Sequence, residues 1–170
     1  MTETAADRPT APAHTLTSVR GDGDLTACHA VRREVFVREQ GVAEEHEMDE
    51  YDVHAVHLLA RTATGEAHGT ARVLFGPAAQ RKYAAYGLGP DTAVLGRLAV
   101  VGAARGTGLG ATLVRAVEAE ARRLGATEVY LQGQVQALGF YERLGYTAYG
   151  PEFDDGSGIA HRAMRRRVDA

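Results

Sequence analysis

The chain's 170 residues, 18.1 kDa, are enough for one well-buried core and too few for two ordinary domains. Hydrophobic residues at 45% and charged residues at 24% exclude a disordered or fibrous chain, and a net charge of −3 offers nucleic acid no broad basic face, the run Arg162, Arg165, Arg166, Arg167 reading as a solvated strand. No apolar run suits a membrane span or secretory signal, and the single cysteine, Cys28, has no disulfide partner and no metal-ligand spacing around it; a soluble cytoplasmic protein is expected, with no metal, membrane or nucleic-acid partner.

Residues 1–13, polar and carrying Pro9 and Pro12, read as a flexible tail, and 14–170 as a single domain. Residues 14–19 alternate like a strand, and Gly21 to Asp24 supply a turn with Asp24 as helix cap. A helix follows over 25–39, with Leu25, Cys28, Arg32, Val35 and Phe36 at helical spacing, Glu34 and Arg38 placed as an i,i+4 pair, and Gly41 at its end. Residues 43–52 carry Glu44, Glu45, Glu47, Asp49, Glu50 and Asp52, too much like charge for a core element, and read as a loop. Strands over 53–61 and 67–75 form a hairpin around Thr64-Gly65-Glu66.

Residues 76–92 form a long connection with one helical turn near 78–85, followed by a central apolar strand over 93–101. From Gly108 a helix is marked by the stripe Leu109, Leu113, Ala116, Val117, Ala121 and Leu124, with Gly125 just past its end. A strand over 127–132, a short helix over 135–144 ended by Gly145, and closing strands over 146–149 and 159–166 around a turn at 154–158 complete the chain, without internal repeats. Hairpins followed by a strand-helix-strand unit predict an α/β (α+β) fold with a mixed sheet.

The chemistry concentrates where the central strand meets Arg105-Gly106-Thr107-Gly108-Leu109-Gly110 and a helix. Three glycines let the backbone turn sharply and converge its N–H groups on an anion at the positive end of the helix dipole, and Arg105 adds a guanidinium suited to phosphate. Glycines of this kind also serve merely to let a strand lie close to a helix. The loop lacks the Gly-Lys-Ser/Thr ending of a P-loop and the spacing of a dinucleotide fingerprint, and the following Leu131-Gln132-Gly133 has no acid to hold a ribose. Coenzyme A is the better fit.

These residues resemble the GNAT superfamily of N-acyltransferases, whose hallmark is Arg/Gln-x-x-Gly-x-Gly/Ala after an apolar strand; Arg105, Gly108 and Gly110 match it. The segment from Phe140 through Tyr141 to Gly145-Tyr146 is similar to a second family motif. Segments 35–40, 71–73, 96–98 and 158–164 resemble the ElaA-like branch, so the likeness spans nearly everything from about residue 30 onward. Gln134 departs from the asparagine common in the superfamily. The resemblance implies a mostly antiparallel sheet of six to seven strands flanked by helices and splayed at a central parallel pair.

It also implies acetyl-CoA as donor and direct attack by a small-molecule or peptide amine. Residues Leu98, Ala99 and Val100 would bond the pantetheine arm through their backbone, the loop Arg105 to Gly110 the pyrophosphate, and Gln134 the cofactor from the other strand. Tyr141, a phenol, is the candidate acid for the departing thiolate, its bland alternative being an aromatic that packs beneath the cofactor. Glu47, Asp49, Asp52, His57 and His161 are candidates for the base, each with a structural alternative, and Cys28 reads as a core thiol. Arg72 and Arg97 lie inside predicted strands, where a charge must be paired, and are expected to meet acids from 43–52. Glu47, His161, Asp49, Asp52, Arg72 and Arg97 thus make up the expected acceptor side. Rival readings are a non-catalytic acyl-CoA sensor and an interaction module, and exposed sheet edges fit a homodimer.

Overall fold

The computed structural model describes residues 14–169; the tail expected over 1–13 lies outside them. Seven strands, β1 (Thr15–Arg20), β2 (Val56–Arg61), β3 (Ala67–Leu74), β4 (Thr92–Val100), β5 (Glu128–Gln134), β6 (Thr147–Asp154) and β7 (Ala160–Arg167), form one sheet in the order β1-β2-β3-β4-β5-β7-β6. Neighbours are antiparallel except β4 and β5, which are parallel. A parallel pair needs a crossover, and helix α4 (Leu109–Leu124) supplies it.

Helix α4 turns Leu109, Leu113, Val117 and Ala121 onto the sheet, all fully or nearly buried. Burial of each leucine or valine contributes about 1.5–3 kcal/mol, so this stripe anchors the main core. Ala93 and Leu95 of β4 join that core, while Val94 between them faces the other side, where it meets Ala78, Ala79 and Tyr83 near helix α3 (Pro77–Lys82). Period-2 alternation along β4 thus separates two buried faces. A third cluster joins Val31, Val35, Phe36 and Val42 to Ala99, near the far end of β4.

The helix expected over 25–39 is two elements, α1 (Thr26–Arg32) and a π-helix (Arg33–Glu39), in which the Gln40 N–H reaches five residues back to the Val35 carbonyl at 3.2 Å. At this wider pitch residues four apart no longer stack, and no ion pair joins Glu34 to Arg38 among the described residues. Arg33 instead pairs with Glu44 at 2.5 Å. The N-cap of α1 is Leu25, without a side-chain cap, rather than the expected Asp24; Asp24 stands one residue earlier and accepts the Thr26 N–H at 3.0 Å.

The acidic segment is not a loop: it folds into α2 (Glu44–Glu47) and a 3₁₀ turn (Glu50–His54), with Glu47 and Asp52 buried. Helix α5 (Leu138–Arg143) is shorter than expected and follows a 3₁₀ turn, Val135–Ala137. Strand β6 runs to Asp154, its pairing with β7 irregular between Tyr149 and Phe153. Among the described residues no helix is long and apolar enough to cross a membrane.

Candidate active site

The parallel ladder between β4 and β5 runs from Thr92–Glu128 to Leu95–Leu131 and stops, although β4 continues to Val100 and β5 to Gln134. A bulge in β4 drives the separation. Against β3, Thr70 sits opposite Ala99 and Arg72 opposite Gly96, so three steps along β4 match two along β3. Arg97 takes up the extra residue at φ 54°, the one non-glycine among the described residues in the left-handed region. Beyond the bulge, the β5-facing edge of β4 has no strand partner among the described residues, and apart from the Val100 carbonyl, which accepts from Arg105, its backbone groups can pair with an extended ligand. A cavity of about 490 Å³ opens there, with Leu98, Ala99 and Val100 on one wall and Leu131, Gln132 and Gln134 on the other.

The glycine loop follows directly. Gly106 and Gly108 have φ of 79° and 84°, and a Cβ built on either would meet nothing within 4 Å, so backbone N–H groups there are approachable from outside. The first turn of α4 carries no acid to neutralise the dipole's positive end. Arg105 and Gly110 line the cavity; the Leu109 side chain lies in the core. The Thr107 hydroxyl donates to the Ala104 carbonyl at 2.5 Å, closing the turn. These features fit the diphosphate of a coenzyme A. The Arg105 guanidinium donates to the Val100 carbonyl at 3.1 Å and to Glu39 at 2.6 Å. Gln134 exchanges hydrogen bonds with Gln40 at 2.8 and 3.3 Å, so the end of the π-helix touches both sides of the gap.

Tyr141 of α5 lines the same cavity, 8% exposed and edge-on to Phe140 and Tyr146. Burial pushes its phenol above the ordinary value of 10, keeping it protonated as a donor at neutral pH.

Opposite lies a buried charge network. Arg32, absent from the expected site, is fully buried and donates to the Glu47 carboxylate at 3.1 Å, the Glu47 carbonyl at 2.6 Å and Asp52 at 2.9 Å. Arg72 holds Asp49 at 2.7 Å and Asp52 at 3.0 Å, and Lys82 holds Asp49 at 3.0 Å. Arg97 crosses from the bulge to the His46 and Glu47 carbonyls at 3.2 and 3.1 Å and to Asp49 at 3.2 Å, pinning the C-terminal end of α2. Pairing explains why so acidic a segment is ordered: unpaired, these carboxylates could not be buried.

At Asp49, burial pushes the carboxyl up, but Arg72, Arg97 and Lys82 together hold it well below the usual carboxylate range. Asp52 is likewise lowered, with Arg32 and Arg72 outweighing burial. Glu47 goes the other way, burial outweighing the pull of Arg97 and Arg32 and raising its pKa. Glu47 and Arg97 line the cavity, whereas Asp49, Asp52 and Arg72 stand behind the lining. His57 is fully buried and outside it; its Nε2–H donates to the Asp52 carbonyl at 2.9 Å, its Nδ1 has no partner among the described residues, and burial lowers its pKa. Cys28 is fully buried, and burial raises its thiol pKa.

His161, at the start of β7, lines the cavity beside Asp155, Ser157 and Ile159. Its Nδ1–H donates to the Ile159 carbonyl at 2.7 Å, and its ring stacks on Phe153 with centroids 6.2 Å apart. Asp155 and His46, also on the lining, were not among the expected site residues, nor were Glu39 at the end of the π-helix and Gln40 just past it, which the sequence marks only as part of the segment 35–40. A charged residue in a tight turn is ordinary, and only the fold brings that turn opposite α2.

A model of the acetyltransferase (GNAT) domain family matches residues 43–168. A Bacillus subtilis protein carrying a provisional acetyltransferase name is 33% identical over 155 residues, covering 89% of this chain and 95% of that one. Among solved structures, an acyl-CoA N-acyltransferase from Pseudomonas aeruginosa is 31% identical with a TM-score of 0.73, over 91% of this chain and 99% of that one. Escherichia coli ElaA has a TM-score of 0.75 over 91% of this chain and all of its own, a likeness of fold at 22% identity.

Proposed function

Because this chain belongs to the GNAT acetyltransferase family, we propose that it moves an acetyl group from acetyl-CoA to a primary amine by direct attack in a ternary complex. The observation that carries this reading is the place where the parallel ladder stops: past Leu95 and Leu131 an open strand edge, the glycine loop and a buried phenol share one cavity. Acetyl-CoA would supply a thioester carbonyl for attack and a thiolate as leaving group. Arg105 and the N–H groups from Gly106 to Gly110 hold the diphosphate, the backbone of Leu98 to Val100 holds the arm and polarises the carbonyl, and Gln134 closes the site from β5. Tyr141 protonates the departing sulfur. Glu47 or His161 takes the amine's proton, both lying on the lining. Arg97 holds Glu47 in place, and Asp49, Asp52 and Arg72 act as the frame behind it rather than as direct acceptor contacts.

Native mass spectrometry of the purified protein, then an amine-library assay with acetyl-CoA and thiol detection, tests this. Bound acyl-CoA and amine-dependent thiol release are expected; no binding at millimolar acetyl-CoA and no thiol release overturn it.

A further inference from the structure

We infer that Asp155 is the docking group for the acceptor, and that the acceptor is an alkylamine arriving as its protonated ammonium; this rests on the transfer reaction proposed above. Among the described residues three carboxylates line the cavity, Glu39, Glu47 and Asp155. Glu39 is paired with Arg105, and Glu47 with Arg32 and Arg97. Asp155 alone of the three has no arginine or lysine partner among the described residues, so the cavity's uncompensated negative charge lies there. Nested turns hold it in place. Asp155 Oδ1 accepts the Ser157 N–H at 3.0 Å, while neighbouring Asp154 accepts the N–H groups of Gly156 and Gly158 at 2.8 and 3.0 Å. Oδ2 is left over.

Facing it is His161 Nε2, 3.6 Å away. The Ile159 carbonyl can only accept, so the His161 proton sits on Nδ1, and in the neutral ring Nε2 carries a lone pair. Two acceptors that face each other at this distance lack a donor between them, and an ammonium offers one N–H to each. His161 then takes the proton and becomes an imidazolium beside Asp155, which stabilises it. The freed nitrogen lone pair forms the new N–C bond as the C–S bond breaks, and Tyr141 protonates the sulfur. As the amide forms the nitrogen sheds its second proton, which makes good the one Tyr141 gave to sulfur, so the step ends with amide, thiol, a neutral Tyr141 and one proton on His161.

The test compares a primary alkylamine with the O-alkylhydroxylamine of the same length, which is neutral at pH 7. In Asp155→Asn, whose side-chain oxygen still accepts the Ser157 N–H, the ratio of kcat/KM for alkylamine over alkoxyamine falls by about tenfold to a hundredfold, the scale of a lost charged hydrogen bond. The loss sits mainly in KM, while acetyl-CoA affinity by calorimetry stays at the wild-type value. An unchanged ratio overturns the proposal. Should that variant fold poorly, calorimetric titration of the unaltered protein decides: alkylammonium binds more tightly than its neutral isostere, with a margin that shrinks as salt rises, and equal affinities overturn the idea. If the unaltered protein acetylates no amine at all, the transfer reading fails along with this one. Transfer that persists with an unchanged ratio in Asp155→Asn sinks this one alone.

Discussion

Arg105 reaches Glu39 across the rim of the cleft, Nη2 to Oε2 at 2.6 Å, and so the cation best placed for a phosphate already holds a carboxylate. Both side chains are substantially exposed, at 49% and 38%, and a pair of this kind contributes at most about 1 kcal/mol. A phosphate therefore displaces Glu39 easily. Glu39→Gln should tighten acetyl-CoA binding by about two- to fivefold, and Arg105→Ala should weaken it by about tenfold. Calorimetry showing the same dissociation constant in both variants would remove Arg105 from the anion site.

Gly108 and Gly125 flank α4 with φ of 84° and 98°, and a Cβ on either meets nothing within 4 Å. Valine at either position forces a branched residue into the left-handed region, costing about 1–2 kcal/mol or somewhat more. Thermal melts of Gly108→Val and Gly125→Val should thus fall by similar amounts. Only the Gly108 variant should lose acetyl-CoA affinity, by about tenfold or more, on the scale of a charged hydrogen bond. Equal affinities in the two proteins would put the phosphate elsewhere.

Tyr141→Phe removes the hydroxyl and keeps the ring's contacts with Phe140 and Tyr146. Turnover should drop by about ten- to a thousandfold with acetyl-CoA affinity retained. Because burial raises the phenol above 10, its ionisation gives no falling limb in the wild-type rate between about pH 8 and pH 10. A limb in that range that disappears in the phenylalanine variant contradicts the assignment, as does unchanged turnover when chemistry limits the rate.

The charged wall gives opposite signs at neighbouring carboxylates. Asp49 is lowered in the folded protein, so its stabilisation is fully present above the unfolded value of about 3.9 and is lost as pH falls through the folded value. Glu47 is raised, so the folded state is disfavoured while it is ionised and gains as pH falls. Asp49→Asn should cost about 3–5 kcal/mol in urea unfolding at pH 7, with the gap to wild type narrowing under acid, and Glu47→Gln should cost distinctly less. Equal costs at pH 7 would mean that the arginines, not burial, dominate at Glu47.

The sequence reveals α4, the hairpin and the glycine loop because each depends on local pattern: a stripe at helical spacing, an alternation with a turn, glycines where φ is positive. Its periodicity misses the π-helix, since a template of 3.6 residues per turn fits on either side of the wider turn. It also misreads 43–52. Six acids predict solvent unless cations arrive from elsewhere, and here Arg32, Arg72, Lys82 and Arg97 come from four distant elements. The pairing of Arg72 and Arg97 with those acids follows from the cost of a bare charge in a strand, but not which acid each meets. Tyr141 and His161 share the cavity, whereas Asp49, Asp52, Arg72 and His57 do not reach it.

The π-helix from Arg33 to Glu39 is, in length, an α-helix with one residue too many. Deleting one position inside it restores ordinary winding and leaves the buried Cys28, Val31 and Arg32 of α1 where they are. Everything after the deletion keeps nearly its direction, because the wider turn had already absorbed the extra residue, and Glu39 and Gln40 stay at the cleft's edge beside Arg105 and Gln134. Among relatives of equal fold, a gap of one residue here is therefore compatible with an opening of the same shape.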